Sequence, residues 1–528
     1  MVVPELKAWR AARPHVVRVA RSVRPQLVRA VEAVKPPLVR AAGAVKPLVT
    51  RPSTVQFTAG SATLGLVVAA TVVTAAGPWD STGQRTAERE WAASQGRAGG
   101  ADHGHVSGTS GKAPAPAPSA ASVLTGLGGS VGAGPSPTEK ALADVLGPLL
   151  DNAALGTERT AAVVDLATGK RLYGKGADDA LTPASTTKIA TAVAALTAAG
   201  ADHRIATRTV LEPDSKKVVL VGGGDPTLTA RKDAQGNASL RTLADRTARA
   251  LKDRKTDEVT LSYDTSLYEG PDVHPIGLDN TNVARVTALM ADEGRLDDTS
   301  SGTAKRTEEP AADAAKEFAD LLEDRGIKTA DPVPAKATDR AKSLAAVKSP
   351  PLSALVERML TNSDNDIAEA LARQTAVAAG EPASFKGGGA AIRKQLKKLG
   401  LPLKGAEFAD GSGLDRADKL TADLLTALLA KAADPAHPEL RAALTGLPVA
   451  GFTGTLSTRY AGQPGTGLVR AKTGTLTGVH TLAGTVVDTD GHLLAFAFLT
   501  ASDPPTEPTA TQKGLDALSS TLATCGCN

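Results

Sequence analysis

Ser185 and Lys188 stand three residues apart in Pro183-Ala184-Ser185-Thr186-Thr187-Lys188. Ile189, Ala190, Ala192, Val193, Ala194, Ala195 and Leu196 continue a helical pattern that Gly200 stops. Positions i and i+3 share a helix face, so the Lys188 amine reaches the Ser185 hydroxyl. A serine needs a base to become a nucleophile, and a desolvated lysine can serve. The helix N-terminus also favours negative charge developing beside it. By itself the pair is a weak signal, because serine and lysine meet at this spacing in many helices by chance.

Two later strings strengthen it. Ser363-Asp364-Asn365 lies in MLTNSDNDIAEAL, and Lys472-Thr473-Gly474-Thr475 lies in GLVRAKTGTLTGVHTLAGTVV. The first reads as a loop flanking a helix, the second as a strand. Each is weak alone. Ser-x-x-Lys, Ser-Asp-Asn and Lys-Thr-Gly in this order, on these elements, form a strong signal for covalent chemistry at Ser185.

Elements at both ends of the folded region must position these residues. Thr138 caps a helix continuing as EKALADVLGPLL. Residues 161–165 and 170–173 flank Ala167-Thr168-Gly169 as a hairpin. Residues 481–487 and 493–500 read as two strands around Asp488-Thr489-Asp490-Gly491, and a last helix is expected over 513–523. The pattern predicts an α/β (α+β) fold: one antiparallel sheet closed by both ends, flanked by helices, with a helical lobe beside it. About 175 residues separate Lys188 from Ser363. That excess predicts an inserted domain over about 205–345. It holds a strand at 218–221 running into Gly222-Gly223-Gly224-Asp225-Pro226-Thr227-Leu228, helices at 240–251 and 312–322, and a polar loop over 292–310. The glycine run is not a phosphate loop, since no Gly-Lys-Ser/Thr follows.

The chain of 528 residues has room for two or three domains. Its formal charge of +4 is unevenly spread. Residues 1–54 hold eleven Lys/Arg against Glu5 and Glu32, a surplus of nine, which leaves the remainder at minus five. The basic balance therefore gives no reason to expect an acidic ligand at the enzymatic part. Arg13-Pro14, Arg24-Pro25, Lys35-Pro36 and Lys46-Pro47 recur every eleven residues. Eleven residues make about three helical turns, and a proline at each repeat start interrupts a continuous helix. Residues 55–77 carry no charge and are long enough to span a bilayer, with Trp79 just outside. The reading is a single-pass anchor with the arm in the cytoplasm and the rest outside. A cleaved signal peptide is the alternative, although a 54-residue charged leader would be long for one. Residues 78–137 form a Gly/Ala/Pro-rich linker, reaching on the order of 40 Å as a coil. One aromatic in the arm, Trp9, offers no stacking platform, so no nucleic-acid partner is expected and an anionic membrane surface is.

Residues 138–528 resemble a class C low-molecular-mass penicillin-binding protein, the D-alanyl-D-alanine carboxypeptidase/endopeptidase family also called peptidase family S13. Beyond the trio, the resemblance rests on GGGDPTL at 222–228, DGSGL at 410–414 with Arg416, and VRAKTGTLTG at 469–478. It implies a serine β-lactamase/transpeptidase-like fold and peptidoglycan stem peptides as substrates, with β-lactams as covalent inhibitors. It further implies that Ser185 attacks the carbonyl of the penultimate D-Ala and that Lys188 is the base, depressed by burial and by the Lys472 cation. Ser363 would relay a proton to the leaving amine, and Asn365 would orient Lys188 and a substrate amide. Lys472, Thr473 and Thr475 would hold the terminal carboxylate. Backbone N–H groups of Ser185 and Thr475 would form the oxyanion hole, Gly474 would leave space for substrate, and Arg416 would touch the peptide stem. Two features depart from the family: the insertion is shorter than in its best-known members, and Asp415 stands where a serine is usual.

Two other functions share parts of this pattern. A class A β-lactamase adds a deacylating glutamate in an E-x-x-L-N string about 35 residues after Ser-Asp-Asn, but IRKQLKKLGLPLKG at 392–405 has no acid. A catalytically silent wall-binding membrane protein would not need an intact trio. The eight histidines form no H-E-x-x-H, so neither metal nor cofactor is expected. His480 is expected on the Lys-Thr-Gly strand as a packed or solvated residue, and Asp410–Gly413 as a tight turn rather than part of the chemistry. Cys525 and Cys527 are the only cysteines and could form a strained disulfide, a metal pair or a free pair.

Overall fold

The structure is a computed structural model and describes residues 137–526. The basic arm, the uncharged run at 55–77 and nearly all of the linker lie outside the described residues. Among the described residues no helix is long and apolar enough to cross a membrane.

Thr138 caps α1 (Glu139–Leu150) by accepting the Ala141 amide, and Leu142, Leu146 and Leu150 bury one stripe at i, i+4 spacing. β1 (Glu158–Asp165) and β2 (Arg171–Lys175) form the hairpin, whose turn is tied by the Asp165 carboxylate accepting the Ala167 and Thr168 amides. A 3₁₀ turn over Ala184–Thr186 leads into α2 (Thr187–Ala199). Residues Thr187 to Leu196 of this helix are all buried. Its run of alanines makes that possible, since small side chains let neighbours approach from every direction.

Residues 206–348 build a second sheet. Its strands are β3 (Ala206–Leu211), β4 (Lys217–Val221), β5 (Glu258–Asp264), β6 (Lys328–Thr329), β7 (Val333–Pro334) and β8 (Lys342–Lys348). The order is β6-β5-β4-β3-β8, with β7 also on β5. β4 and β5 pair in parallel, which needs a crossover, and α3 (Leu240–Lys252) supplies it. α3 and α4 (Pro310–Glu323) bury Leu243, Leu251, Phe318 and Leu322 against Val218, Leu220 and Leu261.

The chain then returns through α5 (Leu352–Asn362), α6 (Asn365–Ala379), α7 (Phe385–Lys398) and α8 (Ala422–Ala433) to β9 (Arg470–Leu476), β10 (Val479–Val487), β11 (Leu493–Ala501) and α9 (Pro508–Thr524). The main sheet runs β2-β1-β11-β10-β9 and is antiparallel throughout. It is closed by both ends of the folded region, as the sequence predicts. β11 divides by alternation. Phe496 and Phe498 face α1 and α9, whereas Ala495, Ala497 and Leu499 face the lobe holding α2, α5, α6 and α8. α9 starts five residues earlier than expected. Pro508 occupies its first position and the Glu507 carboxylate caps it by accepting the Thr509 and Ala510 amides.

Two sequence expectations need correction or completion. His480 is buried on β10, not on the Lys-Thr-Gly strand, because the chain turns at Gly478 with φ +74°. Cys525 is buried and disulfide-bonded. Cys527 lies outside the described residues.

Candidate active site

Ser185 sits in the 3₁₀ turn and Lys188 in the first helical turn that follows. Lys188 Nζ donates to Ser185 Oγ at 2.9 Å, to Asn365 Oδ1 at 2.6 Å and to the Ser412 carbonyl at 2.7 Å. An ammonium has three protons, and these are its three acceptors. After losing one proton it keeps the two stronger acceptors, and its lone pair is left facing Ser185. Lys188 is fully buried. Burial drives its pKa down, the carboxylates of Asp410, Glu369, Asp364 and Asp418 push it back, and it settles at about 8.

The residue before the nucleophile, Ala184, has φ +48°, an uncommon conformation for a side-chain-bearing residue. Its carbonyl packs on Gly413, where a Cβ would lie 1.9 Å away. Thr481 Oγ1 donates to the neighbouring Pro183 carbonyl at 2.8 Å. The turn that presents Ser185 is thus clamped between β10 and the DGSG segment.

Ser363 ends α5 in the left-handed region, φ +57°, and Asp364 caps α6 by accepting the Ile367 amide at 3.0 Å. This break between two helices turns the Ser363 hydroxyl and the Asn365 amide toward the two lysines. Lys472 Nζ donates to Ser363 Oγ at 2.9 Å and to the Thr473 carbonyl at 2.8 Å. Asn365 Nδ2 donates to the Asn282 carbonyl at 3.0 Å, so the insertion also touches the site. Lys472 is held well below the usual lysine range, first by burial and then by the Lys188 charge. The two lysine charges repel each other, and the depression falls more heavily on Lys472 than on Lys188. In the structure carboxylates hold Lys188 up, and Lys472 has no carboxylate to do so.

β9 is the edge strand of the main sheet, with Thr473 half-buried and Thr475 exposed. Thr473 Oγ1 bonds Thr455 Oγ1 at 3.0 Å. Gly474 has a different neighbour from the one expected. A Cβ there would lie 2.1 Å from Thr481 Oγ1, 2.7 Å from the Pro183 carbonyl and 3.1 Å from Ala184 Cβ. The missing side chain makes room for the serine turn rather than for substrate. Gly474→Ala is therefore expected to displace Ser185 and slow acylation by about 10²-fold, since a misplacement of roughly 1 Å has that effect. Stopped-flow labelling with a fluorescent penicillin measures it. A variant reacting at the parental rate would refute the clamp.

Arg416 is exposed and donates to the Thr477 carbonyl at 2.7 Å, just beyond the end of β9. The nine site residues expected from the sequence thus come together: Ser185 on the serine turn, Lys188 on the first turn of α2, Ser363 and Asn365 at the helix break, Lys472, Thr473, Gly474 and Thr475 on β9, and Arg416 with its side chain at the end of that strand. Sequence reasoning missed the acceptor at Ser412. DGSG is a tight turn, but its carbonyl reaches Lys188. Asp410 accepts the Ser412, Gly413 and Asp415 amides, and Glu369 accepts those of Gly411 and Ser412. Asp418 ties the Thr187 hydroxyl, one residue before Lys188, and the Ala409 amide. GGGDPTL is a packing motif. Gly223 lies against the Ala206 carbonyl and accepts a hydrogen bond from Gln374 of α6 at 2.9 Å.

The fold is that of a penicillin-binding protein. It overlays the crystal structure of penicillin binding protein 4 (dacB) from Haemophilus influenzae with a TM-score of 0.60 at 22% identity, over 73% of this chain and 99% of that one. The sequence matches the profile of the D-Ala-D-Ala carboxypeptidase 3 (S13) family over residues 141–304 and 296–522, and the chain belongs to that family. It is 36% identical over 408 residues to carboxypeptidase DacB of Mycolicibacterium smegmatis, covering 74% of this chain and 86% of that protein. It is 30% identical over 450 residues to a D-alanyl-D-alanine carboxypeptidase of Actinomadura sp., covering 70% and 83%.

Proposed function

We propose that this protein is a serine DD-peptidase. It removes the terminal D-Ala from peptidoglycan stem peptides, or cuts their cross-links, through an acyl-enzyme, and β-lactams acylate the same serine. The observation that carries this reading is the 2.9 Å contact of a buried, pKa-depressed Lys188 with Ser185 Oγ. Ser185 attacks the penultimate D-Ala carbonyl while Lys188 accepts its proton. Backbone N–H groups of Ser185 and Thr475 stabilise the oxyanion. Ser363, on Lys472, passes a proton to the leaving amine. Lys472, Thr473 and Thr475 hold the terminal carboxylate, which restores charge balance beside a depressed lysine. Asn365 orients Lys188 and a substrate amide. The edge of β9 offers backbone groups to an extended peptide, and Arg416 lies at its end to meet the stem.

The deciding assay supplies a pentapeptide ending in D-Ala-D-Ala and, in parallel, a cross-linked dimer. Release of free D-Ala from the first and monomers from the second supports the reading. Inertness toward both, in protein that binds wall fragments, would favour a silent binding role. Rapid multiple-turnover hydrolysis of penicillin would favour a β-lactamase.

We further infer that residues 55–77 anchor the chain in the cell membrane as a single pass, with the arm cytoplasmic and the catalytic part outside. The support is the uncharged run, the basic surplus preceding it and the disulfide at Cys525, which suits an oxidising compartment. The arm is then placed to bind the anionic inner leaflet at about 1 kcal/mol per basic residue. A peptide of residues 1–54 should bind vesicles more tightly as their anionic lipid fraction rises and less tightly as salt rises. Binding indifferent to both would sink the membrane-surface role.

A further inference from the structure

His274 belongs to the inserted region, in the long segment between β5 and α4, yet its ring lies behind the catalytic lysine. Its side chain is 1% exposed, with Nε2 3.0 Å from Asp410 Oδ2 and 3.6 Å from Glu369 Oε1. Phe385 of α7 meets the ring edge-on at 5.3 Å between centroids, which fixes its plane. The Ile276 amide donates to Nδ1 at 3.3 Å. That contact favours the neutral ring. Burial works in the same direction, but the carboxylates of Asp410 and Glu369 outweigh it and raise the pKa to about 9. In either protonation state Nε2–H donates to Asp410, so the contact survives across neutral pH.

Asp410 is the hub of the DGSG turn. Its Oδ1 accepts the Ser412 and Gly413 amides at 3.0 and 2.6 Å, and its Oδ2 accepts the Asp415 amide at 2.7 Å. Glu369 grips the Gly411 and Ser412 amides from the other side. The Ser412 carbonyl is thereby left pointing at Lys188 Nζ, 2.7 Å away. Each link is buried, so a lost partner has no water to replace it.

We propose that His274 is a positioning residue for acylation: it fixes Asp410, Asp410 fixes the Ser412 carbonyl, and that carbonyl aims Lys188 Nζ at Ser185. The inserted region is then part of the catalytic machinery and not only a neighbour of the substrate cleft. The proposal rests on the acyl-enzyme reading above. His274 touches no reacting atom, so its loss acts on the acylation rate constant and spares the preceding non-covalent binding constant.

The test uses the full chain, a fluorescent penicillin and three variants. His274→Gln carries an N–H where Nε2 stands. His274→Asn and His274→Ala do not reach Asp410. Ala and Asn are expected to lower the acylation rate constant on the order of 10- to 100-fold, with Gln within about fivefold of the parent. The non-covalent constant stays within about twofold in all three. Asn and Gln reacting equally, a loss carried by the binding constant, or Ala at the parental rate would each overturn the proposal. So would failure of both Ala and Asn to fold, which would assign His274 to stability alone. A parent protein that takes no label would instead overturn the acyl-enzyme reading, so the two failures are distinguishable.

Discussion

Ser185→Ala is expected to take up no fluorescent penicillin and to lose D-Ala release by roughly 10⁴- to 10⁶-fold, the loss seen when a nucleophile that works as a unit with its base is removed. The parent should carry the label on the peptide containing Ser185 and keep it through repeated washing. Slow loss follows because 392–405, where a class A β-lactamase places its deacylating acid, has none. The substitution deletes one oxygen from a half-buried position and leaves the hydrogen bonds of Lys188 to Asn365 and Ser412 intact. The melting temperature should therefore stay close to that of the parent, which separates lost chemistry from lost fold. Label mapped to another residue, or surviving in the alanine variant, would refute the assignment.

Lys188→Ala should slow acylation by about 10²- to 10⁴-fold, the usual contribution of a general base. The pH profile carries the same argument. Lys188 is a base only when neutral, and burial brings its pKa to about 8 against the pull of four carboxylates. Acylation in the parent should rise with pH through that value and lose about tenfold per pH unit below it. The alanine variant should lack this limb. Stability rises with pH here as it does for a salt-bridged carboxylate, but as the relief of a cost rather than the gain of a contact. The folded state holds the Lys188 proton less tightly than the unfolded chain, whose lysine titrates near 10.5. The burial cost is therefore full below pH 8 and fades between pH 8 and 10.5. A pH profile flat across 7 to 9 in the parent, measured by penicillin labelling over about two pH units, would refute Lys188 as the base.

Much of the site was legible because its logic is local. Ser185 and Lys188 are one helical turn apart, and Lys472, Thr473 and Thr475 follow one another on a strand. The hairpin around Ala167–Gly169 and the capped helix at Thr138 were equally local. Gly474 was legible as a requirement but not as a reason. A strand glycine announces close approach, and only the packing of β9 on Pro183 and Ala184 says of what. DGSG announced a turn, and nothing in its spacing says that the Ser412 carbonyl ends beside an amine 224 residues away.

By itself the sequence determined the chemistry available: a hydroxyl and an amine on one helix face, a second pair on a helix-flanking loop and a strand, and the antiparallel sheet that carries them. These follow from backbone periodicity, which a chain expresses wherever it folds. The tertiary structure alone decided the electrostatics. Four carboxylates surround Lys188 and none supports Lys472, Asp418 reaches Thr187 across 231 residues, and His274 reaches Asp410 across 136. Charges so far apart in the chain meet only when the helical lobe, the inserted region and the main sheet close on one another, and the low dielectric that makes their meeting count exists only after that closure.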